Sequence, residues 1–166
     1  MPYDVDSSIR SGELIERISR CFANVQLGEG ISWHQADEID NHGTVDELRS
    51  ARVRDTEKSW EDVPSEMFDE LPSAVYFLDS RGLLYYLPAF MVADLMRNGA
   101  WKSAVADGFV VAMRESDRSK ELRSLLSDEQ RQAAADWLDI VRQRYLGLSP
   151  DGVDNWNSFV TSFRAS

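Results

Sequence analysis

Cysteine is nearly absent from this chain: Cys21 stands alone, so no intrachain disulfide can form and nothing points to an oxidising compartment. Histidine is almost as scarce, with only His34 and His42. Any Ser–His or Cys–His catalytic pair must take its base from those two. No serine stands in a G-x-S-x-G turn, and Gly28-x-Gly30 lacks the third glycine, the preceding strand and the Lys-Ser/Thr of a phosphate loop. Long apolar runs are missing as well. The longest, residues 83–93, stops after eleven residues at Asp94, short of the roughly 18 that a membrane span needs. No basic stretch followed by an apolar run opens the sequence, so a cytoplasmic location is expected.

Positive charge is the next scarcity, and it is local. Residues 1–80 hold 18 acids against 7 bases, whereas residues 81–166 hold 11 of each. The whole net charge of −11 therefore lies in the N-terminal half. Phosphate backbones demand clustered Lys and Arg, so direct binding of nucleic acid is disfavoured. Anionic lipid is repelled for the same reason, and no membrane contact is expected. A basic protein partner is the complementary expectation. Acidic surfaces also serve solubility alone, so charge by itself singles out no site.

What is present is a core. With 43% hydrophobic residues and five tryptophans in 166 residues, one self-sufficient domain is expected. Periods near 3.6 recur along the chain and two-residue alternation almost nowhere. The fold class is therefore all-α, a single-domain irregular helical bundle of about six to eight helices around a central buried helix broken or kinked at Leu87-Pro88. Residues 1–7 read as a disordered tail and 8–166 as the helical domain.

Ile15, Ile18, Phe22 and Val25 mark the first helix, with Ser11 as its N-cap. Residues 28–43 read as an acidic loop pinned by Trp33. Thr44 with Glu47 is a capping box that starts a polar helix running to about residue 60, with Leu48, Ala51 or Arg52, and Asp55 as its thin inner stripe. Pro64 opens a short helix carrying Met67, Phe68 and Leu71, and residues 74–78 read as a helical turn in preference to a lone strand. Val105, Phe109, Ala112 and Met113 form the next stripe, followed by a charged loop over 115–120. Ser127 with Gln130 is a second capping box, opening a helix with Ala134, Trp137, Leu138, Val141 and Tyr145 inward and Gly147 at its end. Ser149-Pro150 starts the last helix, with Val153, Trp156, Phe159 or Val160, and Phe163 inward.

Residues 83–93 are the run around which the rest is arranged. Leu87 precedes a proline and is biased away from helical dihedrals. Two buried pieces meeting at Leu87-Pro88 is the first reading, with Pro88 in the first turn of the second piece; a kinked single helix is the other. Met91, Val92, Leu95 and Met96 are expected on one face, and Asp94, Arg97 and Asn98 on the opposite one.

Chemistry finds few footholds. Metal ligands can converge only within residues 33–42, from His34, His42 and Asp37 or Asp40, at a spacing that matches no compact motif such as H-E-x-x-H. No metal or other cofactor is expected. Cys21, beside Arg20 on a core helix, reads as a small buried hydrophobe, and Tyr85-Tyr86 as core aromatics. Carboxylate pairs such as Glu66 with Asp69 or Glu70 arise by chance among 29 acids, and catalysis would require one of them buried.

Three segments look familiar: Trp60-x-x-Val63-Pro64, then Phe77-Leu78-Asp79-x-x-Gly82-x-x-Tyr85-Tyr86-Leu87-Pro88-Ala89-Phe90-Met91, and Leu125-Leu126-Ser127-x-Glu129-Gln130. Together they resemble a family of small uncharacterised bacterial proteins with a tryptophan–proline segment, a YYLPAF core and an L-S/T-x-E-Q helix start. The resemblance covers residues 57–141 and implies a bacterial, soluble, helical protein; it supplies no catalytic residues. Such acidic orphans are loosely associated with toxin–immunity neighbourhoods. The expected function is a non-enzymatic acidic protein-binding module, in its specific form an immunity protein neutralising a basic toxin. Its contact residues are expected to be Trp33, Asp37, Glu38, Asp40, Asp46 and Glu47, with Trp33 as the anchor. Two alternatives stand beside it: a small hydrolase or metal-dependent enzyme using His34 or His42, and an acidic mimic of nucleic acid.

Overall fold

A computed structural model describes residues 5–97, 104–114, 117–144 and 150–165. Among the described residues the chain is all-helical, a single domain of nine α-helices without strands. They are α1 (Val5–Cys21), α2 (Trp33–Asp40), α3 (Val45–Arg54), α4 (Glu66–Glu70), α5 (Ser80–Met96), α6 (Ala104–Met113), α7 (Asp117–Leu125), α8 (Asp128–Arg144) and α9 (Pro150–Ala165), with 3₁₀ turns at Trp60–Asp62 and Ala74–Phe77.

The two-piece reading of the central run is corrected: α5 is one helix, with Pro88 in its interior. Proline there removes the bond to the Leu84 carbonyl and costs about 3 kcal/mol. Leu87, Phe90 and Met91 on either side are fully buried, each contributing about 2 kcal/mol by leaving water. Burial outweighs the lost bond. Thirteen of the 17 residues of α5 are buried, the pattern of a helix enclosed on all sides rather than an amphipathic one. The expected faces are therefore also corrected. Asp94, placed outward by its charge, is fully buried and accepts a hydrogen bond from the Trp137 indole at 2.8 Å. Met96, placed inward, is exposed. Arg97 is outward as expected and bonds Asp69 and Ser65; Asn98 lies outside the described residues.

Other boundaries shift for local reasons. α1 begins at Val5 rather than Ser11, so residues 5–7, assigned to the tail, are helical. The expected loop after Gly30 contains α2, whose start is fixed when Gln35 Oε1 accepts the Ser32 backbone N–H at 3.1 Å. α3 stops at Arg54, well short of Trp60. Asp117–Lys120, read as loop, is the first turn of α7, which buries Leu122. Both capping boxes form: Glu47 accepts from the Thr44 N–H at 2.7 Å, and Ser127 and Gln130 exchange bonds of 2.8 and 3.2 Å. Tyr145, Gly147 and Ser149 lie outside the described residues.

Aromatic rings join these helices. Trp33 stands edge-on to Phe68 and Tyr86, and Phe90 stacks on Phe109 and meets Trp137 edge-on. Such pairs add about 1 kcal/mol each beyond the area they bury. Polar seams then set the register. Asp79 Oδ1 caps α5 through the Gly82 N–H at 2.8 Å and also takes the Ile31 N–H at 2.9 Å. A Cβ on Gly82 would lie 2.5 Å from the Ile31 carbonyl oxygen, so only glycine lets the two backbones meet. At the far end of α1, Trp60 Nε1 donates to the Phe22 carbonyl and Gln130 Nε2 to that of Cys21, both at 2.9 Å. Trp60, Asp79, Gly82 and Gln130 are thus joints of the scaffold.

Candidate functional site

The joints leave an open cleft of about 540 Å³ where α2, the segment after α3, and α4 converge. His34 enters from the first turn of α2; Arg54, Thr56, Glu57 and Lys58 come from the end of α3 and beyond; Asp62 closes the first 3₁₀ turn; Glu66, Met67 and Glu70 belong to α4. Two links hold its base. Tyr86, from the middle of α5, donates to Glu57 Oε1 at 3.0 Å while its oxygen accepts the Trp33 N–H at 3.1 Å. Burial first, then the nearby Asp55 and Glu57 charges, pushes the Tyr86 hydroxyl far above the ordinary phenol range, so it acts as a permanent neutral bridge. Asp55, its side chain almost wholly buried, takes the His34 N–H at 3.1 Å and His34 Nδ1 at 2.6 Å. That bond fixes the ring's tautomer and directs its other nitrogen away from Asp55.

The cleft lining carries four acids (Glu57, Asp62, Glu66, Glu70) against Arg54 and Lys58, and those acids all come from one short segment. Residues 57–70 carry six acids (Glu57, Glu61, Asp62, Glu66, Asp69, Glu70) against Lys58 alone, a net charge of −5. Asp69 pairs with Arg97. Among the described residues, Glu61, Glu66 and Glu70 make no ion pair. Glu66 and Glu70 stand four residues apart on α4 and repel each other by about 0.3 kcal/mol.

The residues expected at a contact surface are only partly gathered. Asp37, Glu38 and Asp40 are half-buried on α2, and Asp46 and Glu47 stand exposed in the first turn of the adjoining α3. Most are engaged within the fold: Asp37 accepts from Asn41, Asp46 pairs with Arg49, and Glu47 is held by Thr44, which draws its carboxyl below the usual range. Trp33 is corrected outright. It is fully buried in the aromatic core and offers no surface to a partner. The acids that sequence reading passed over are Glu57, Glu61, Asp62, Glu66 and Glu70. Local charge density in a 14-residue window was the signal that could have found them.

The two histidines sit at opposite ends of α2, His42 past its last turn with φ of 59°. Among the described residues, no three His, Cys, Asp or Glu side chains converge as ligands for a metal ion. Cys21 is half-buried, and burial followed by the Glu129 charge raises its thiol to about 11, so it is protonated at neutral pH. No helix among the described residues is long and apolar enough to cross a membrane.

Fold and cleft define an all-helical domain with an acidic, open, His-containing groove. The family model described as "Family of unknown function (DUF6714)" matches residues 10–146, and the chain belongs to that family. No curated protein and no solved structure matches it. The matched span contains every residue of the cleft and leaves α9 outside.

Proposed function

We propose that this chain is a non-enzymatic protein-binding module that receives a basic segment of a partner protein in the cleft beside α4. The observation that carries this reading is the pair of cleft carboxylates Glu66 and Glu70, with Glu61 in the adjoining 3₁₀ turn, which have no ion-pair partner among the described residues. Glu66 and Glu70 cost the isolated fold a little repulsion, a cost that an incoming Arg or Lys removes. Asp37, Glu38, Asp40, Asp46 and Glu47 form a second, flanking acidic corner that speeds encounter without anchoring it. The immunity-type form of the reading, with a basic toxin as partner, rests on the sequence resemblance alone.

The test is capture from the source cells by the tagged protein and by its Glu61→Lys/Glu66→Lys/Glu70→Lys variant. The reading requires a basic protein that the wild type retains, in a salt-dependent way, and the variant releases. Retention by the variant, or no basic protein on the wild type, overturns it. Charge reversal at Asp37, Glu38 and Asp40 then measures the flanking corner: a slower association rate with an unchanged dissociation rate is expected.

A second reading has one observation in its favour. The 2.6 Å bond between His34 Nδ1 and Asp55 at the wall of a 540 Å³ cleft is the base-and-orienter half of a hydrolytic site. His34→Ala that leaves hydrolysis of an ester and phosphoester panel unchanged removes this reading without touching the first.

A further inference from the structure

On the far side of the sequence the charge logic reverses. A cavity of about 650 Å³ lies where the end of α6, α7 and the exposed face of α9 meet, lined by Arg114, Arg123, Asn155, Ser158, Phe159 and Ser162. None of the six is acidic, in a chain of net charge −11. Asn155, Ser158 and Ser162 follow one another at three- and four-residue spacing, so α9 turns one polar face into the cavity. Phe159 adds an apolar wall, and with Trp156 and Phe163 it forms a run of edge-on rings.

Both guanidiniums are seated on those rings. Arg114 lies 5.7 Å from the Trp156 ring centre and 5.4 Å from that of Phe159, and Arg123 lies 5.1 Å over Phe163. Arg123 is held further by bonds to the Met113 carbonyl and Ser162 Oγ. Among the described residues Arg114 has no carboxylate partner. Ring stacking and the Arg123–Ser162 bond account for two arginines covering apolar surface; they do not account for Asn155 and Ser158 facing the same space. Stacking also holds guanidinium forks in place before a ligand arrives, and such forks match the oxygens of phosphate in pairs.

We propose that Arg114 and Arg123, with Asn155, Ser158 and Ser162, form a binding site for a small phosphate monoester. The phosphoryl oxygens meet the two guanidiniums and the hydroxyls, and the organic group lies along Phe159; the cavity is several times larger than a bare phosphate needs and falls within the range of small-molecule sites. This site is independent of the acidic cleft. It draws on α9, which lies outside the family span of residues 10–146, so it is a property of this chain rather than of the family match.

Phenyl phosphate titrated into the full chain, followed by calorimetry and by amide shifts, tests it. Saturable one-to-one binding is expected, with shifts centred on Trp156, Ser158 and Ser162, and with benzoate binding several-fold more weakly. Arg114→Gln is expected to lower affinity about tenfold, and Arg114→Lys to recover only part of it because the planar fork is lost. Arg114 is exposed, and among the described residues its guanidinium makes ring contacts with α9 but no hydrogen bond or ion pair, so its variants test the site even where an Arg123 variant fails to fold. No saturable binding of phenyl phosphate, or equal affinity in Arg114→Gln and wild type, overturns the proposal.

Discussion

The carboxylates between α1, α8 and α9 and those around the cleft are the same chemical groups put to opposite uses. In the first region Asp136 lies between Arg17 and Arg164, Asp139 also holds Arg164, and Glu129 holds Arg20. Each acid there ties one helix to another. In the second, Glu61, Glu66 and Glu70 tie nothing together among the described residues. The same side chain is thus used in two ways: in the first region these acids are consumed in joints, and in the second they are left over. Only the second kind is free for a partner. A third set, Asp55, Asp79 and Asp94, is buried or half-buried and spent on backbone and indole N–H groups.

That division can be broken experimentally, beginning with its strongest member. Asp79→Ala deprives the Ile31 and Gly82 N–H groups of a charged acceptor and is expected to cost about 3 kcal/mol, read as a lower denaturant midpoint at constant slope. Asp55→Ala releases α2 from the end of α3 and is expected to cost about 2 kcal/mol, with Asp55→Asn recovering part of it, measured the same way. Cys21 samples the paired region kinetically. Because its thiol is raised to about 11, less thiolate is present at pH 8, and iodoacetamide alkylation is expected to run about tenfold slower than for a free thiol after its higher intrinsic nucleophilicity is counted. The rate should climb as pH rises toward 11. The same raised value means that stability from the neutral thiol is complete below about pH 9 and is lost as pH rises through 11.

Arg164→Met dissolves a partly exposed network, so a loss of about 1 kcal/mol is expected, shrinking in high salt. The smallest effect is the most telling. Glu66→Gln with Glu70→Gln is expected to leave the melting temperature within about 2 °C of wild type or slightly above it. A clear fall in melting temperature would place these two acids among the joints and remove the distinction.

Helix class, the inner faces of α1, α6, α8 and α9, and both capping boxes were legible because each depends on residues three or four apart. The failures share a cause: they depend on what lies across the fold. Nothing local tells Asp94 that the Trp137 indole awaits it, and nothing near Trp33 tells it that Phe68 and Tyr86 enclose it. Pro88 stays within one helix because the neighbours of α5 bury it on all sides, which no dihedral preference records. The cleft was half legible. Its acids were visible as composition, but with α2 read as a loop the acids of α2 and α3, of which the fold already employs Asp37, Asp46 and Glu47, stood out instead.

Tyr86 gives this architecture a wire from its surface to its centre. Its hydroxyl touches Glu57 at the cleft and the Trp33 backbone N–H inside the domain, on a helix that α1, α6 and α7 pack against. A cation drawn to Glu57 would compete with the tyrosine for that carboxylate, and the amide of Trp33 would feel the change in its own acceptor. If the groove takes a cationic segment as proposed, hydrogen exchange at the Trp33 amide is expected to change with its occupancy, a gauge that needs no label.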